Sequence, residues 1–97
     1  MVADSFMRQF RSTYHDFVEL GIDCDISLDP SRGFFAVFGN RKGKGGYDET
    51  VELVSRPEPD KPIVHRSWKI LVDDANDLQD SLESIAEELM EELTKHG

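Results

Sequence analysis

Asp73, Asp77, Asp80, Glu83, Glu87 and Glu91 follow one another at intervals of three or four residues. On a helix this spacing stacks them along one face, with neighbours about 5–6 Å apart. No lysine or arginine interrupts the stretch from Asp73 to Leu93. Like charges at this spacing cost a helix about 0.2–0.5 kcal/mol per pair, so a helix tuned only for stability would carry interleaved bases. The chemistry on offer is recognition by charge. A row of carboxylates at this pitch approaches the spacing of phosphates along a nucleic-acid strand. It would attract a basic protein surface and repel nucleic acid and anionic membrane.

A second charged stretch has the opposite sign. Gly39-Asn40-Arg41-Lys42-Gly43-Lys44-Gly45-Gly46 holds four glycines and three bases and reads as a mobile hairpin loop. Arg41, Lys42 and Lys44 could grip a second patch on a partner, or a phosphate backbone. The stretch is not a phosphate-binding P-loop: Gly39 and Gly43-Lys44 are one residue too close, Gly45 stands where a hydroxyl residue is needed, and a strand rather than a helix follows.

Other constellations are thin. His15, His65 and His96 are far apart and fall in different elements, and no C-x-x-C or H-x-x-x-H spacing exists. Asp23, Asp25 and Asp29 read as the wet face of a strand. Cys24 falls on an inward face and reads as a small core residue. Ser67 and His65 share a strand face without an evident carboxylate to orient the histidine. No catalytic residue, metal or cofactor is expected.

The elements that position these groups follow from periodicity. Ala3 to Leu20 is an amphipathic helix, with Ala3, Phe6, Met7, Phe10, Tyr14, Phe17 and Val18 on one arc. Asp4 or Ser5 could cap it, Gly21 suits the position after its end, and Ile22 could pack back on its last turn. Arg8, Arg11, His15 and Glu19 form its solvated face. Ile22 to Leu28 alternates with a period of two, placing Ile22, Cys24, Ile26 and Leu28 on one side. Asp29–Gly33 has turn chemistry. Phe34 to Phe38 returns as a strand with Phe35 and Val37 on its second face. Tyr47 to Ser55 is a third strand. Arg56 to Pro62, with three prolines, reads as a stiff polar connection. Ile63 to Val72 is a fourth strand, with Trp68, Ile70 and Val72 alternating.

The last helix begins at Asp73 or Asp74, with Asp74 as N-cap and Asp77 three residues on. Its apolar arc is Ala75, Leu78, Leu82, Ile85, Ala86, Leu89 and Leu93, widened by Met90. The expected fold is a single α+β domain over residues 1–97: a four-stranded antiparallel meander flanked by an N-terminal and a C-terminal helix, both on one face. The other face would be solvated apart from exposed apolar residues such as Phe35 and Val37.

Composition bounds the function. An apolar fraction of 38% with six phenylalanines is sufficient for a core and unlike a disordered chain. No apolar run is long enough to span a membrane, the first residues lack a signal-peptide core, and a lone cysteine fits a reducing compartment; the expected location is cytoplasmic. The net charge is −9, and it is unevenly spread. Residues 1–72 carry eleven acids against ten bases, whereas residues 73–97 carry nine acids against Lys95.

Double-stranded-RNA-binding domains share the order of a helix, strands and a closing helix, but they begin the last helix with lysines, where this chain has Asp73, Asp74, Asp77 and Asp80. In size, charge and lack of motif the chain resembles phage-encoded inhibitors of host defence and acidic immunity proteins. These features lead to an expectation of a non-enzymatic inhibitor occupying a basic, nucleic-acid-binding partner surface. The alternatives are an adaptor or chaperone-like dimer using the free sheet face, and a nucleic-acid binder using the 39–46 loop together with Arg8 and Arg11.

Overall fold

In the computed structural model, which describes residues 2–96, the elements run α1 (Asp4–Leu20), β1 (Cys24–Asp29), β2 (Phe34–Gly43), β3 (Gly46–Glu58), β4 (Lys61–Lys69) and α2 (Ala75–Lys95). The strands form one open antiparallel sheet in the order β1-β2-β3-β4. This is the expected α+β meander.

Alternation along the strands decides which side is covered. Ile26, Phe34, Ala36, Phe38, Val51, Leu53, Trp68 and Ile70 share one apolar cluster with Met7, Phe10, Tyr14 and Phe17 of α1 and Leu82, Ile85, Ala86, Leu89 and Leu93 of α2. Both helices therefore lie on the same face. Phe38 is the hub, its ring 4.9 Å from that of Phe10 and 6.1 Å from that of Tyr14. The Tyr14 hydroxyl donates to Glu49 Oε1 at 2.6 Å, tying α1 to β3. Burial, then the neighbouring Glu49 carboxylate, pushes the Tyr14 pKa well above its ordinary value.

Helix limits follow local chemistry. Gly21 adopts φ 70° and its N–H donates to the Phe17 carbonyl, the left-handed ending that glycine permits without a Cβ penalty. Asp74 caps α2, accepting from the Asp77 N–H at 2.9 Å. The start of α1 differs from expectation: Ala3 is its cap residue and no side chain caps it, while Asp4 lies inside the first turn. Val18, Ile22 and Val72, assigned inward from periodicity, are exposed. So are Ala3 and Ala75. Each lies within three residues of an element's end, where the chain leaves the core.

Two connections are shorter than expected. Residues 39–46 are not a loop: β2 and β3 stay paired from Gly39↔Thr50 to Gly43↔Gly46, leaving only Lys44 and Gly45 as the turn. Glycines here make room rather than slack. A Cβ on Gly39 would lie 2.5 Å from the Arg41 guanidinium, and one on Gly43 would collide with the Asp48 carboxylate. Likewise Arg56–Pro62 is mostly strand. Glu58 faces Lys61 across a turn at Pro59-Asp60. The prolines are tolerated because this ribbon projects past β2, whose pairing ends at Phe34↔Ser55, and because Pro62 sits on an edge strand.

Candidate functional site

The outer surface of α2 is the candidate site. The core takes Leu82, Ile85, Ala86, Leu89 and Leu93, so a 3.6-residue period sends Asp77, Asp80, Glu83, Glu87 and Glu91 to the opposite side. All are exposed, as is Asp73 just before the helix. Among the described residues, Asp73, Asp77, Asp80, Glu87 and Glu91 have no cation within ion-pair distance, and Glu83 meets Arg11 Nη2 of α1 at 3.3 Å.

Acids elsewhere are mostly paired. Asp23 and Glu52 hold Arg41, at 3.4 and 3.0 Å. Asp25 meets Arg56, Asp29 meets Arg32, Asp48 meets Lys69 and Glu58 meets Lys61. Even α2 is divided. Glu88 and Glu92, on its sheet-facing flank, each accept from Arg66 of β4 at 3.0 Å. Burial opposes ionisation of Glu92, but hydrogen bonds from Arg66 and Lys95 outweigh it and hold its carboxyl below the usual glutamate range.

The structure does not unite the nine residues singled out from sequence. Asp77, Asp80, Glu87 and Glu91 share the outer side of α2, Glu83 lies on the flank toward Arg11 of α1, and Asp73 lies before the helix, where it lines a depression with Asn40, Tyr47, Asp48 and Lys69 of the sheet. Arg41 lies in β2 on the opposite face of the sheet, where Asp23, Val37, Glu52, Val54, Arg56, Pro62 and Val64 surround a shallow depression. Burial opposes the Arg41 charge there, yet hydrogen bonds and charges from Glu52 and Asp23 raise its pKa. Arg41 is thus fixed by its neighbours rather than carried on a flexible finger. Lys42 and Lys44 are exposed and, with Arg8, are the bases that make no ion pair among the described residues.

The open sheet face is also less apolar than expected. Val37 is only 8% exposed, and the Arg56 guanidinium lies 4.6 Å over the Phe35 ring. Arg11, read as part of the solvated face of α1, is half-buried against α2, with its Nε buried and unpaired.

Sequence reasoning missed one cluster. Leu53 faces Arg66 and Val54 faces Val64, so His65 is an extra residue in the ladder. Such a bulge re-aims a side chain. His65 Nε2 lies 2.7 Å from Ser55 Oγ, and its ring is 4.6 Å from that of His96 and 5.4 Å from that of Phe34. The serine partner is thus Ser55 on β3 rather than Ser67. Ser55 is buried, and no carboxylate contacts His65 among the described residues. Only the bulge brings these groups together, and no residue pattern announces it. A second group, His15, Asp16 and Glu19, lies together on the exposed side of α1.

No helix among the described residues is long and apolar enough to cross a membrane. Compared with protein-family models, with curated proteins and with solved structures, the chain matches none.

Proposed function

We propose that this protein is a non-enzymatic interaction protein that occupies a basic surface of a partner protein with the outer ridge of α2, as an inhibitor that displaces nucleic acid or another polyanion. The observation that carries this reading is the pairing asymmetry. Bases are supplied to most acids of the sheet and to the inner flank of α2, while Asp73, Asp77, Asp80, Glu87 and Glu91 are left without a cation among the described residues. Such a ridge projects a field of one sign, which speeds association with an oppositely charged patch and fixes its register.

The test is retention of proteins on the immobilised chain, compared with a variant carrying Asp73→Asn, Asp77→Asn, Asp80→Asn, Glu83→Gln, Glu87→Gln and Glu91→Gln. A basic, nucleic-acid-binding protein is expected on the unaltered chain at low salt, released by high salt and by added nucleic acid, and absent from the variant. Equal retention by both would overturn the reading.

A further inference from the structure

The ridge borders a second feature that specifies how a basic partner would be held. β4 is an edge strand, with no strand paired beyond it among the described residues. The Ile70 N–H donates to the Glu49 carbonyl of β3 at 2.9 Å. In an antiparallel ladder the residues that bond across the pair alternate, so the main-chain groups of Ser67 and Lys69 point away from β3, toward open space. Just past the strand, the Leu71 N–H donates to Ser81 Oγ of α2 at 3.1 Å and pins the chain to the helix.

Between this edge and α2 runs a groove lined by Trp68, Lys69, Leu71 and Ile85, with Asp77, Asp80 and Glu88 on its helix side; Lys69 is turned to Asp48 and Glu88 to Arg66, which leaves Asp77 and Asp80 as its uncompensated charges among the described residues. Trp68 is 8% exposed, and its indole Nε1 is buried without an acceptor. Ile63 and Val64, on the same edge strand, are half exposed.

We infer that the β4 edge and this groove form a strand-addition site for an extended, lysine- or arginine-bearing segment of another protein. Main-chain bonds to Ser67 and Lys69 would supply affinity, alternate side chains would enter the groove, and the basic ones would meet Asp77 and Asp80. Charge selects this occupant. A second copy paired through β4 would set two α2 helices side by side, each within a chain of net charge −9, and the two would repel. An RNA or DNA strand meets the same field. The inference rests on the reading of the α2 ridge as a docking surface and adds the backbone edge to it.

The probe is a fluorescent peptide of alternating lysine and valine, about eight residues long to match a typical strand, with a glutamate–valine peptide as control. Anisotropy reads binding, and amide hydrogen exchange reads the edge directly. The lysine–valine peptide is expected to bind about tenfold or more tighter than its control and to slow exchange at Ser67 and Lys69. Ser67→Pro removes one edge donor at a position where proline is compatible with an edge strand, and should weaken binding up to about tenfold, the worth of one main-chain bond.

Absence of binding, or self-association of the protein through β4, overturns the inference. So does binding that leaves Ser67 and Lys69 unprotected and is unchanged by Ser67→Pro. In that last case, binding still lost on neutralising the six ridge acids would leave the ridge reading standing alone. Binding that survives both changes would remove both readings. Exchange on the unaltered chain decides the matter even if Ser67→Pro fails to fold.

Discussion

Neutralising part of the ridge should stabilise the protein while abolishing the binding proposed for it. The informative variant combines Asp80→Asn, Glu87→Gln and Glu91→Gln, which spares Asp74 and Asp77 at the favourable N-terminal end of the helix dipole and spares the Arg11–Glu83 pair. Five like-charge pairs disappear: Asp77–Asp80, Asp80–Glu83, Glu83–Glu87, Glu87–Glu91 and Glu88–Glu91. At about 0.2–0.5 kcal/mol each their removal is worth about 1–2.5 kcal/mol. Lys95 pairs with Glu92 rather than Glu91, so the variant loses no ion pair among the described residues. The gain is at least about 1 kcal/mol at low ionic strength, which for a chain of this length raises Tm by about 4–8 °C or more.

Salt distinguishes this from any other source of stability, because the repulsion it removes lies on exposed side chains and is screened within a Debye length. Thermal unfolding of both proteins at low and at high salt is the assay, and the difference should shrink as salt rises. A variant less stable than the parent at every salt concentration would mean that these acids make structural contacts, and the reasoning from unpaired charge would fail. A variant more stable yet equally able to hold the partner would mean that the repulsion is tolerated for no binding purpose.

Other perturbations test the frame that carries the ridge. Tyr14→Phe removes a hydrogen bond to a carboxylate and should cost about 1–2 kcal/mol in urea unfolding at neutral pH. Because the folded-state pKa of Tyr14 lies above its unfolded value, its contribution is complete below about pH 10 and is lost as pH rises beyond that. The unaltered protein should therefore lose stability above pH 10 more steeply than Tyr14→Phe, and parallel pH profiles would contradict the Tyr14–Glu49 pairing. Leu89→Ala empties a site that is 0% exposed between α2 and the sheet, and a loss of about 2–5 kcal/mol is expected; a loss below about 1 kcal/mol would mean that α2 is not packed as described.

The order of elements was legible because it rests on periodicity over many residues. β1 alternates, both helices keep an apolar arc, and Gly21 and Asp74 mark ends by backbone conformation and side-chain capping. Contacts between strands were not legible in the same way. The glycines of residues 39–46 read as slack, yet the strands stay paired there and the Arg41 side chain lies across Gly39 on the way to Asp23 and Glu52. That arrangement comes from neighbours in space and leaves no local pattern. The prolines after Arg56 read as a break because a proline in the middle of a sheet loses a ladder bond, a penalty that vanishes on a projecting ribbon. The bulge at His65 depends on the register between two strands, which residue types there do not specify. For the site, the ridge was visible from spacing alone, whereas the groove beside it needed the knowledge that β4 is the sheet's edge.

Within α2 the same residue type stands in two settings, and neighbours decide which. Glu88 and Glu92 are one turn apart, and Arg66 joins them both while lying 4.8 Å over the Trp68 ring. Removing either would expose part of that lid and leave Arg66 less well held, so these acids belong to the fold. Glu87 and Glu91 differ from them in sequence by one position, a rotation of about 100° on the helix, and that rotation carries them beyond the reach of any base in β4. If acid were needed in α2 only to hold Arg66, two glutamates would suffice, and the outer face could carry lysines that relieve the repulsion at no cost to the core. The chain instead has Lys42 at the end of β2, Lys44 in the β2–β3 turn and no lysine between Asp73 and Leu93. The distribution follows from neither packing nor helix stability, and so the outer ridge, rather than the acidity of the chain as a whole, is the feature that binding experiments should address.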